Sequence, residues 1–110
     1  MNLQQPGCDT LIFKDRLGNS IMPSDYILYP DGQKNLMFSR VLAVIQWQLG
    51  THKASMLKVI SQKYSENACI NQNPGYLRHS ISAVLVKPGQ VDKEVKKLLD
   101  AWKDKNEKEL

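Results

Sequence analysis

Two histidines, two cysteines and a set of basic residues hold most of the reactive chemistry in this chain. A histidine-based catalytic site needs a nucleophile and an orienting carboxylate within hydrogen-bond reach. His52 lies in Gly-Thr-His-Lys and His79 in Leu-Arg-His-Ser, with no G-x-S-x-G turn and no acids paired on one helix face. The glycines are scattered, so neither a dinucleotide fingerprint nor a phosphate loop is formed. Cys8 and Cys69 stand far apart, outside any C-x-x-C pattern, and the histidines add no metal-ligand spacing. The expectation is a protein that is not an enzyme and holds no metal or cofactor. Its cysteines are read as unpaired thiols of a reducing compartment, with a structural disulfide as their other use.

The basic residues offer a different chemistry. Residues 1–50 balance four basic against four acidic side chains, whereas residues 51–91 hold Lys53, Lys58, Lys63, Arg78 and Lys87 against Glu66 alone. Six lysines offset six acids in residues 92–110, so the formal net charge of +4 sits entirely in the middle of the chain. Clustered basic charge is the footprint of a polyanion-binding face, because neutralised phosphates release counterions. Arg78 is suited to bidentate pairing with guanine and His79 to a base edge, while Lys53, Lys58, Lys63, Ser82 and Lys87 are suited to phosphate contacts.

The elements that would position these groups follow from pattern. At 110 residues the chain is read as one domain, 1–110. Thr10 to Phe13, the turn residues Leu17 to Ser20, and Ile21-Met22-Pro23 read as a short hairpin. Tyr26 to Tyr29 reads as a third strand, bounded by Pro23 and by Pro30-Asp31-Gly32, which completes a strand-rich element over 1–32. Phe38, Val41, Leu42, Ile45 and Leu49 recur at helical spacing, with Asn35 as N-cap and Gly50 as stop. A second helix carries Leu57, Ile60 and Tyr64 inward, and a third opens with Asn73-Pro74 and carries Leu77, Ile81, Val84 and Leu85. These three helices make residues 35–87 a trihelical DNA-binding core. A fourth helix, 91–103, shows Val91, Val95, Leu98, Leu99 and Trp102 as its stripe, and 104–110 is a frayed charged tail. The expected fold class is α+β: an N-terminal hairpin or three-strand element on a three- to four-helix core, with helices two and three arranged as a helix-turn-helix or degenerate winged helix.

The run Gly75-Tyr76-Leu77-Arg78-His79-Ser80-Ile81-Ser82 resembles the recognition-helix motif of forkhead winged-helix proteins, in which Arg-His is followed by a small polar residue, an aliphatic and Ser. Ala43-Val44-Ile45-Gln46 is similar to the first helix of that family and of linker-histone globular domains, and Leu57 through Tyr64 to their second. The resemblance covers residues 38–87 and implies a base contact for His79 and backbone contacts for Arg78 and Ser82. Gly75 stands where the family carries a base-reading Asn, and Lys87-Pro88-Gly89 stands in place of the wing.

The function expected is therefore non-enzymatic DNA binding, regulatory or architectural, with double-stranded DNA as partner and the third helix in the major groove. The alternative is a small protein-interaction regulator or inhibitor that binds a larger partner and no nucleic acid, anchored by Trp102 with Leu98 and Leu99, or by Trp47 and the Tyr26 to Tyr29 segment. Pairing of two protomers through the Trp102 helix is a further possibility. No apolar run approaches the length of a membrane span, and the N-terminal residues lack the features of a secretory signal. An intracellular protein is expected, nuclear in a eukaryote and cytoplasmic in a bacterium or virus.

Overall fold

Antiparallel strand pairing and turn chemistry organise most of the described chain. The computed structural model describes residues 13–33, 35–63, 65–78 and 82–107. Five strands run in the order β1 Tyr26–Pro30, β2 Leu36–Leu49, β3 His52–Ser61, β4 Gly75–Arg78 and β5 Val84–Val86. A 3-10 turn at Pro88–Gln90 leads into the single α-helix among the described residues, α1 Lys93–Glu107. All pairings are antiparallel, and the spatial order is β4-β3-β2-β1-β5. The chain meanders through β1 to β4 and then crosses to the far side, where β5 pairs with β1.

Two similar loops shape the early strands. Asp31 accepts hydrogen bonds from the backbone N–H of Gln33 and Asn35 at 2.8 and 2.9 Å, closing the β1–β2 connection. Asp15 does the same for Leu17 and Asn19 at 2.9 and 2.7 Å, and a bridge between Lys14 and Ser20 flanks that turn. Both loops read Asp-x-x-x-Asn, a carboxylate satisfying donors that the turn leaves without backbone partners. Gly50, at φ 61°, and Thr51 form the two-residue link of the β2–β3 hairpin, with Leu49 paired to His52. A positive φ at Gly50 but not at Thr51 is the pattern of a type II′ turn, whose twist matches that of the strands.

Each face of the sheet carries a hydrophobic core. Ile27, Val41, Val44, Leu57, Val59 and Leu77 pack with Phe13, Ile21 and Ala83 on one side. On the other, Tyr26, Phe38, Leu42, Ile60 and Val86 meet Ile70, Val91 and the α1 residues Val95, Leu98, Leu99 and Trp102. Buried hydroxyls tie three strands together: Ser39 and Tyr29 both donate to Ser61 Oγ, at 2.7 and 3.1 Å.

This architecture corrects the expected fold class. The three- to four-helix core with a helix-turn-helix or degenerate winged-helix arrangement is replaced by a five-stranded antiparallel sheet with one C-terminal helix. Residues 38–49, expected as a helix, are a strand with a bulge between Val41 and Ala43. Apolar residues on both faces plus one extra residue imitate the i, i+3, i+4 spacing of a helix, and only the β-branched content separates the two. Leu57 and Ile60, placed on one helical face, instead serve opposite faces of β3. The third helix is absent because Leu77 lies in β4 while Val84 and Leu85 lie in β5. Tyr64 and Ile81 lie outside the described residues.

Candidate interaction surface

The helix-side face of the sheet has two unlike ends. A strand of 14 residues, β2, extends about 46 Å, whereas the 15-residue α1 extends about 22 Å. One helix therefore covers only part of that face, whichever way it lies.

At the covered end the helix is pinned by a carboxylate. Tyr26 and Arg40 stand opposite each other on β1 and β2. Asp100 of α1 accepts the Tyr26 hydroxyl proton, the Arg40 Nη1–H at 2.8 Å and the Lys96 Nζ–H at 2.8 Å. The Arg40 guanidinium also lies 5.3 Å from the Tyr26 ring centroid, and Lys96 Nζ 5.7 Å. Burial pushes the Asp100 carboxyl up, but hydrogen bonds from Lys96 and Tyr26 and the Arg40 charge outweigh it and hold it below the usual range. Burial and the Asp100 bond raise the Tyr26 hydroxyl, and the same carboxylate raises Lys96. These groups hold the helix on the sheet.

At the other end the face is only half covered. Lys58 lies between Leu57 and Val59, and Tyr76 and Arg78 flank Leu77; since those apolar neighbours belong to the opposite core, the three polar residues take the helix-side face. Tyr76 pairs with Lys58, Arg78 pairs with Met56, and Met56 pairs with Ile45. Ile45, Met56 and Lys58 are half-buried, Arg78 is exposed, and Tyr76 is 57% exposed. Among the described residues the ion pairs are Arg40–Asp100 and Lys96–Asp100, so Lys58 and Arg78 have no acid opposite them.

No family model, curated protein or solved structure matches this chain.

The basic residues singled out in the sequence do not line one groove. Lys87 follows β5, four strands from Arg78 on β4, about 19 Å away by strand spacing. Lys53 on β3 and Lys63 beyond it each lie five residues from Lys58, about 16 Å of extended chain. Ser82 is exposed just before β5, and His79 lies outside the described residues. Arg78 and Lys58 are the two that come together, on a strand pair rather than on a helix in a groove.

The sheet edges also differ. At the β5 edge the Asp15 carboxylate accepts the Leu85 N–H at 2.8 Å, and the Arg16 N–H donates to the Ala83 carbonyl at 2.8 Å. At the β4 edge no described residue does the same for Gly75 to Arg78. Trp102 is used within the chain: its ring packs in the helix-side core and its Nε1–H donates to the Gln72 carbonyl at 2.9 Å. It forms one wall of a cleft of about 390 Å³ shared with Ile70, Leu98 and Lys105. Among the described residues no helix is long and apolar enough to cross a membrane. Sequence reading missed Tyr76, Met56 and Ile45 as a surface; the signal was the alternation Tyr76-Leu77-Arg78, which sends Leu77 to one face and its neighbours to the other.

Proposed function

We propose that this chain is a protein-docking module whose contact surface is the uncovered end of the helix-side face, next to the β4 edge. The observation that carries the reading is Tyr76, 57% exposed, set among Lys58, Arg78, Met56 and Ile45 at the outermost strand. Tyrosine, arginine and methionine are the side chains that protein interfaces concentrate, and a half-buried aliphatic floor supplies area that a partner can dehydrate. The scatter of Lys53, Lys63 and Lys87 around the sheet disfavours a phosphate-tracking groove, and the polar clusters elsewhere are occupied in holding the fold together.

The test compares the native chain with a Tyr76→Ala/Arg78→Ala variant as bait in cross-linked capture from nuclease-treated cells, alongside anisotropy on a labelled random duplex. The expected outcome is a partner protein that survives nuclease and falls by about tenfold or more with the variant. Duplex binding whose log K falls against log salt with a slope of about −4 to −5 would instead mean that five basic groups touch phosphates, and would remove this reading.

A further inference from the structure

The covered and uncovered ends of the helix-side face use the same residue types. Tyr26, Arg40 and Lys96 converge on the Asp100 carboxylate at one end. Tyr76, Arg78 and Lys58 gather at the other, with no acid among the described residues to complete them. Among the described residues the second set has no carboxylate to bind its cations. It also adjoins the edge strand whose outer side no described residue caps, whereas the opposite edge is capped by Asp15 and Arg16.

We infer that β4 is a docking strand for an extended, acidic segment of a partner protein, which adds to the sheet as a sixth strand and brings its carboxylates to Lys58 and Arg78. This rests on the protein-docking reading and specifies the partner's chemistry. An added strand sends alternate side chains to opposite faces. Residues beside Tyr76 and Arg78 reach the basic face and are acidic; the one beside Leu77 reaches the apolar face and is aliphatic. Gly75 leaves room on that side, since a Cβ there would meet nothing within 4 Å. The recognised pattern is thus acidic, apolar, acidic.

Other occupants fit less well. A second copy pairing through its own β4 would set Lys58 and Arg78 of both chains on one face, and like charges across strands are destabilising. A single-stranded nucleic acid draws on successive stacking aromatics, and among the described side chains of this patch Tyr76 is the aromatic present. Neither supplies both a strand's backbone groups and carboxylates.

The test is a nitrogen-15 NMR titration of the full chain with a short peptide alternating glutamate and valine, with a glutamine counterpart, a proline-centred counterpart and a short oligothymidylate as controls. The glutamate peptide shifts the Gly75–Arg78 amides saturably and slows their hydrogen exchange. Glutamine in place of glutamate, Arg78→Glu or Lys58→Glu each weakens binding about tenfold, and proline abolishes it. Absence of peptide binding to a chain with a native spectrum overturns the inference. Shifts over Ile45, Met56 and Tyr76 without slowed exchange in β4 also overturn strand addition, while leaving a docking face. Protection of β4 that grows with protein concentration alone assigns the edge to a second copy and overturns the acidic partner. Displacement of the peptide by oligothymidylate overturns both this inference and the docking reading.

Discussion

Tyr26 faces Arg40 across β1 and β2 beneath an aspartate, whereas Tyr76 faces Lys58 across β3 and β4 with no acid over it among the described residues. An aromatic beside a cation on a sheet face is thus not in itself a binding signature. At one end the fourth member comes from α1 and the group becomes an internal fastening; at the other it is missing and the surface stays half open. The difference arises from placement, because α1 lies over the strand that carries Arg40 while Tyr76 stands two strands away at the sheet edge.

Removing the carboxylate is the largest blow to that contrast. Asp100→Ala leaves the Tyr26 hydroxyl and the guanidinium of Arg40, only 16% exposed, without their shared acceptor, and Arg40 Nε already has no hydrogen-bond partner. Breaking a largely buried pair from one side costs more than the pair contributes, because the abandoned cation stays desolvated. The variant is expected to lose about 2–4 kcal/mol of stability, read as a lower urea midpoint at unchanged slope. Lys96→Ala, whose ammonium is more exposed, should cost less. A loss below about 1 kcal/mol for Asp100→Ala would mean that apolar contacts hold the helix without the fastening.

The next test uses pH, and its sign follows from the directions of shift. Asp100 and Asp15 both titrate below the usual carboxylate value in the folded chain; for Asp15, burial opposes the shift, but bonds from Leu85, Asn19 and Leu17 prevail. A lowered folded value means that their contribution is present above the unfolded value of about 3.9 and is lost as pH falls through the folded values. Stability should therefore be level near neutrality and decline below about pH 4. Tyr26 and Lys96 are raised, so their contribution is complete below about pH 10 and is lost as pH climbs through the folded values. Asp100→Asn should flatten both limbs, and Asp15→Asn only the acid one. Denaturant midpoints across pH measure this, and an unchanged alkaline limb in Asp100→Asn would separate Tyr26 and Lys96 from the aspartate.

Some of this was legible in the sequence and some was hidden by physical coincidence. The Tyr26 strand announces itself through aromatics and flanking turn residues, and the α1 stripe through Val95, Leu99 and Trp102 at helical spacing among lysines and acids. The long hairpin does not. Both faces of β2 are covered over much of its length, so its apolar residues do not alternate with polar ones, and the bulge after Val41 shifts the phase. Gly50 serves equally as a helix stop and as a hairpin link, since both use the positive φ of 61° that it adopts, and the pairing of Leu49 with His52 that decides between them is a tertiary fact. Lys58 and Arg78 stand out as basic residues, but their meeting depends on β3 pairing with β4 across a connection in which no strand is predicted by pattern.

The smallest expected effect sharpens the comparison most. Arg78 is exposed on an edge strand and pairs with Met56 rather than with an acid, so truncating it removes no ion pair and opens no cavity. Arg78→Ala should change stability by no more than about 0.5 kcal/mol, and Tyr76→Ala, which removes a ring already 57% exposed, by little more. The same two changes should account for most of the lost partner binding. A residue that matters to a partner and not to the fold answers to selection on the surface alone, the reverse of Arg40 at the other end. If Arg78→Ala instead destabilised the chain as Asp100→Ala does, the uncovered end would also be a fastening, its acid supplied from within the molecule, and the contrast between the two ends would disappear.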